Sequence, residues 1–195
     1  SVDSAADLSR LFIKVGRISF YVAFLVLSGF AVFGQDFINL WAGHEFADAY
    51  WVAMIVMVPF TVDIIQNLGL TIMQVKDVYQ FRGYMNAAIA VINVFISILL
   101  CRLFGVIGSA ISTAVSIAIG NGLIMNWYYA RKLDMDILQF WKNILSILVP
   151  LLITSFGFNA IWTYFDWHGW SALVTGGLIY SLLYAIVSIS FCFDA

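Results

Sequence analysis

Charge is what this chain has least of. Lys, Arg, Asp and Glu make up 10% of its 195 residues, and the formal net charge is −2. A soluble domain of this length must cover itself with charged side chains, so a water-soluble globular fold is excluded. No basic patch is present, which argues against nucleic acid as a partner. Proline occurs only at Pro59 and Pro150, and cysteine only at Cys101 and Cys192. Both cysteines fall within or at the ends of apolar runs, where a thiol behaves as a small apolar group, and no structural disulfide is expected. Histidine is limited to His44 and His168, without a second ligand at metal-binding spacing. No Gly-x-Ser-x-Gly elbow or phosphate-cradling glycine loop occurs. The chain therefore reads as a non-enzyme, with no catalytic residues, metal or cofactor expected. The stretch 1–11 lacks the charged-then-apolar pattern of a cleavable signal, and the two ends read as those of a fragment of a longer protein.

Apolar residues fill the rest: 63% of the chain is hydrophobic and 17% aromatic. A helix needs about 20 apolar residues to cross a bilayer. Six runs reach that length, at 15–34, 50–74, 84–104, 106–130, 144–165 and 171–193. They are too long and too continuous for barrel strands, which alternate. The expected fold is an all-α membrane protein, one bundle of six transmembrane helices over 1–195.

The few charges orient it. Arg10, Lys14, Arg17, Lys76, Arg82, Arg131, Lys132 and Lys142 fall on alternate connections, whereas Asp36, Glu45 and Asp48 share the first intervening loop and Arg102 stands alone beside the third run. The positive-inside rule places the eight in the cytoplasm, with both ends of this segment. Trp41, Tyr50, Trp51, Trp127, Tyr128, Tyr129, Trp162, Tyr164, Trp167 and Trp170 flank the runs as aromatic belts. The stretch 136–143 reads as a short amphipathic helix on the cytoplasmic surface.

Small residues recur every four positions at Gly108, Ser112, Ser116 and Gly120, and again at Gly177, Ser181 and Ala185. That spacing puts each set on one helix face, where another backbone can approach closely. The second run carries most of the polar groups. Pro59, Asp63, Gln66, Asn67, Leu70 and Gln74 share one helical face, and Pro59 permits a kink. An ionisable group inside the bilayer costs about 2.5–3.5 kcal/mol on insertion scales, so it faces protein or water. Two readings stay open for Asp63: it lines a translocation path, or it pairs with a basic residue of a neighbouring helix. Asn86 and Asn93, seven apart, either extend that lining or bond across helices. Asn121, Asn126 and Asn159 receive no assignment. Pro150 is expected to bend the fifth span, and Arg17 to contact a phosphate or lipid headgroup at the cytoplasmic end of the first.

The pattern Phe37-Ile38-x-Leu40-Trp41-x-Gly43-x-x-Phe46 resembles that of bacterial polysaccharide transporters, the flippases of lipid-linked O-antigen and oligosaccharide repeat units. So do Gln74 through Arg82, Asn93-Val94, Ser97-Ile98 and Leu100, and Gly105-x-x-Gly108-Ser109-Ala110-x-x-Thr113-x-x-Ser116. Asn126-Trp127-Tyr128-Tyr129-x-Arg131-Lys132-Leu133, with Asp136-Ile137 and Phe140-Trp141-Lys142, resembles a cytoplasmic hairpin common in that group. The resemblance implies the superfamily shared with MATE-type antiporters and lipid II flippases, in which two helical lobes surround a cavity. This chain would be a C-terminal part, without its N-terminal lobe. The implied activity is alternating-access transfer of undecaprenyl-pyrophosphate-linked oligosaccharide across the bacterial inner membrane, lined here by Asp63, Gln66, Asn67, Asn86 and Asn93. Membrane lipid is the surrounding partner. Coupling to a proton or sodium ion through Asp63 is a further expectation. The alternatives are a MATE-like drug/cation antiporter and a membrane-embedded glycan enzyme.

Overall fold

The computed structural model describes residues 5–165, 167 and 169–193. His168, Asp166 and the Cys192 side chain lie outside the described residues. Every described element is helical, as a chain that must satisfy its backbone inside lipid requires. The helices are α1 (Ala5–Trp41), α2 (Asp48–Ile65), α3 (Asn67–Val75), α4 (Gln80–Ile117), α5 (Met125–Lys132), α6 (Ile137–Phe165) and α7 (Trp170–Phe193). A 3-10 turn, His44–Phe46, precedes α2, and a π-helical stretch, Ala118–Ile124, joins α4 to α5.

Among the described residues, five helical segments are long and apolar enough to cross a membrane, rather than the expected six. The difference lies in Gln80–Lys132, a continuous helical segment of 53 residues. Straight, it would measure roughly 80 Å at 1.5 Å per residue. Instead it folds back at Gly105 (φ 60°, ψ −141°), a conformation that a Cβ disfavours. The two arms, 80–104 and 106–132, then run antiparallel. Ser112 Oγ donates to Asn93 Oδ1 at 2.5 Å, and Phe81 stacks on Tyr128 at 4.2 Å. One glycine replaces the loop on which a count of separate helices depends.

Helix α1 stands at the centre, packed against α2, α6 and α7, while α4 packs on α2. Its two ends are chemically distinct. At one end Ser9 Oγ accepts from the Asp136 backbone N–H at 3.1 Å, and Phe12 packs on Phe140. At the other, Trp162 Nε1–H donates to Asp36 Oδ2 at 2.9 Å, with Phe33 edge-on to the same indole. The first end collects Arg10, Lys14, Arg17, Arg82, Arg131, Lys132 and Lys142; the second holds Asp36, Glu45 and Asp48.

Two expected features take other forms. The stretch 136–143 is no separate surface helix. Asp136 Oδ1 accepts from the Gln139 N–H and caps α6, which continues unbroken through Pro150 to Phe165. Phe140 is fully buried against Phe12 and the bare Cα of Gly16, so these first turns are part of the packed bundle. The interruption in the second span comes at Gln66 (φ −98°, ψ 7°), not at Pro59, through which α2 passes. Helix α2 alone, at 18 residues, is about 27 Å long and nearly crosses the hydrocarbon.

Candidate functional site

The break at Gln66 gathers the polar side chains. Asp63, three residues earlier on α2, accepts from Arg82 at the start of α4, with 2.6 Å between Oδ1 and the guanidinium nitrogen. The Arg82 side chain is 12% exposed and that of Asp63 31%. Gln66, 2% exposed, donates through Nε2 to Asn126 Oδ1 at 2.8 Å. The same oxygen accepts from Trp141 Nε1–H at 3.4 Å, and Asn126 Nδ2 donates to the Gly122 carbonyl. Tyr129 completes the group: its hydroxyl lies against Gly69, where a Cβ would come within 2.5 Å, and close to Arg82. Four helical pieces thus meet: the α2–α3 break, the two arms of the hairpin, and the first turns of α6.

This cluster is level with Gly16, whose side lies against Phe140 and the Ile65 carbonyl. It therefore sits at the bundle end that carries the basic residues. A guanidinium and a carboxylate held there in contact neutralise each other where the low-dielectric interior begins. Arg17 follows Gly16 on α1 and is half-buried at the same level.

The rest of the expected polar face is divided. Asn67 and Gln74 are exposed on α3, because the break at Gln66 turns them away from the line of α2. Asn86 is exposed on the first arm. Asn93 bonds Ser112 inside the hairpin. The small-residue face of the fourth run seats the first arm. All four residues are buried; a Cβ on Gly108 would overlap the Leu100 carbonyl oxygen, and one on Gly120 would meet the Ile89 side chain at 2.6 Å. The equivalent stripe on α7 packs nothing among the described residues, since Ser181 and Ala185 are exposed and Gly177 faces open space. Its neighbour Gly176 makes the close contact, beneath Trp162.

Sequence reasoning placed Arg82 in a loop and assigned Asn126 nothing, yet both are central here. Their signal was there to use: Arg82 precedes an apolar run by two residues, and Asn126 shares its run with Gly120 and Gly122. A second polar group was missed altogether. Tyr180 Oη donates to Ser28 Oγ at 2.6 Å and lies 2.8 Å from Ser155 Oγ, all three buried. Ser28 and Ser155 in turn donate to the Phe24 and Leu151 carbonyls, at 2.6 and 2.7 Å.

Among the described residues no cluster of His, Cys, Asp and Glu could hold a metal ion. No family model, curated protein or solved structure matches this chain. What the cluster offers chemically is a fixed ion pair beside buried amides.

Proposed function

We propose that this chain is part of a bacterial inner-membrane transporter, of the polysaccharide-flippase kind, that moves undecaprenyl-pyrophosphate-linked oligosaccharide across the bilayer by alternating access. The carrying observation is the break of α2 at Gln66, with Asp63 and Arg82 on one side and Asn126 on the other. Discontinuous helices with polar groups at the break mark binding sites in secondary transporters. The motifs from Phe37 to Lys142 point to the same family. On this reading the hairpin at Gly105 contributes two crossings, giving six, and the basic end of the bundle is cytoplasmic. Asp63 and Gln66 belong to the cytoplasmic mouth of the path, with Arg17 beside them for an anionic headgroup. A second lobe, elsewhere in the protein, supplies the opposite wall.

A MATE-like cation antiporter is the second reading, and one observation favours it: the partly exposed Asp63 carboxylate is suited to a proton or organic cation. Gene deletion tests both. Loss of surface glycan, with lipid-linked oligosaccharide accumulating on the cytoplasmic leaflet and rescue by the intact gene, supports the flippase. Intact glycan with impaired efflux of organic cations would replace it with the antiporter. Normal transport and ion dependence in Asp63→Asn would remove the coupling role.

A further inference from the structure

The returning arm of the hairpin contains a π-helical stretch of seven residues, Ala118–Ile124. Such segments are rare and concentrate where a helix does something besides span. This one lies directly before the residues that fasten the second arm to its surroundings. Asn126 holds Gln66 and Trp141. Tyr128 stacks on Phe81, and Tyr129 rests on Gly69.

Two buried acceptors here have no donor among the described residues: Asn121 Oδ1, within the stretch, and Gln66 Oε1, on the amide facing Asn126. A buried amide oxygen without a partner is unfavourable, and a side chain as enclosed as Gln66 cannot turn to water for one. A contact that leaves acceptors unmet is held less firmly than one that satisfies every group.

We propose that residues 125–132 turn as a unit about the π-helical stretch, releasing Asn126 from Gln66 and Trp141 and so unlatching the second arm at the basic end of the bundle. A π-helical stretch carries an extra residue relative to an α-helix of the same rise. Passing that residue along the helix turns the C-terminal part of the arm by about 100°, since 3.6 residues make one turn. The connection to α6, where Asp134 already adopts a left-handed φ of 51°, takes up the change. Arg82 belongs to the first arm, so its bond to Asp63 holds that arm in place while the second turns. The motion stands independently of what the protein carries.

The test uses the full-length protein in lipid nanodiscs, with Cys101 and Cys192 replaced by Ser. Nitroxide labels go on Trp127→Cys in α5 and Leu182→Cys in α7, both exposed positions, and pulsed electron paramagnetic resonance reads their separation. A residue on the rim of a helix 10–12 Å across moves by about 8 Å in a 100° turn. Two distances are therefore expected, differing by up to about 8 Å. Gln66→Met, which keeps the volume and removes the amide, raises the minor population about fivefold, the effect of one lost hydrogen bond. Deleting Ile119 converts the stretch to α-helix and leaves one distance. A single narrow distance in the parent, or two whose proportions ignore Gln66→Met, overturns the proposal. Should the deletion fail to fold, the parent and Gln66→Met decide it alone.

Discussion

The three-helix group α1–α6–α7 and the hairpin of α4 and α5 solve the same problem differently. Lipid tails are as apolar as leucine, so helices in a bilayer associate through close packing and interhelical hydrogen bonds. The three-helix group has both along its full height. Ser9 meets Asp136 at one end, Tyr184 donates to the Tyr21 carbonyl at 2.8 Å, Tyr180 joins Ser28 to Ser155, and Trp162 reaches Asp36 at the other end. The hairpin packs on α2 and otherwise on itself. Its arms interlock at Gly108, Ser112 and Gly120, while its polar ties to other helices, among the described residues, are the Asp63, Gln66 and Trp141 contacts. Polar ties at one end alone hold a part less firmly than polar ties along its whole height.

The largest test of this contrast is Gly108→Val. Its Cβ would overlap a backbone oxygen that cannot yield, and the loss of stability should exceed about 3 kcal/mol, read as the unfolding midpoint in a fixed lipid–detergent mixture. Gly157→Val on α6, where nothing lies within 4 Å, serves as the neutral comparison. Next comes Asp63→Ala, which strands the nearly buried Arg82. Breaking a fully buried pair costs 3–5 kcal/mol; with Asp63 partly exposed, about 2 kcal/mol is expected. Adding Arg82→Ala should restore much of that loss, and a double-mutant cycle without coupling would remove the ion pair as a tie. Tyr180→Phe should cost about 1 kcal/mol, because Ser28 and Ser155 keep their bonds to backbone carbonyls. Asn67→Ala, on an exposed position, should stay within about 0.5 kcal/mol.

Much of this architecture is written in local composition. Apolar run length marks the membrane segments, and the four-residue spacing of Gly108, Ser112, Ser116 and Gly120 marks a packing face whose partner proves to be the adjacent arm. What periodicity cannot supply is how far a helix continues. Pro59 and Pro150 are the conspicuous breakers, yet α2 and α6 pass through both, and the interruptions fall at Gln66 and Gly105. The candidate site was half legible for that reason. Asp63 and Gln66 stood out as polar groups in an apolar run, but Arg82 and Asn126 become their partners only once the break brings the hairpin alongside. Ser28, Ser155 and Tyr180 lie on three different helices, and nothing in any one of them announces the other two.

The corner at Gly105 also bears on how the chain enters its membrane. A lone glycine between arms of 25 and 27 residues, 80–104 and 106–132, offers no hydrophilic stretch to be passed across the bilayer ahead of the second arm. The one charge beside the corner, Arg102, has to cross with it. The arms are expected to enter together, as a preformed hairpin, so that biogenesis treats these residues as a single event.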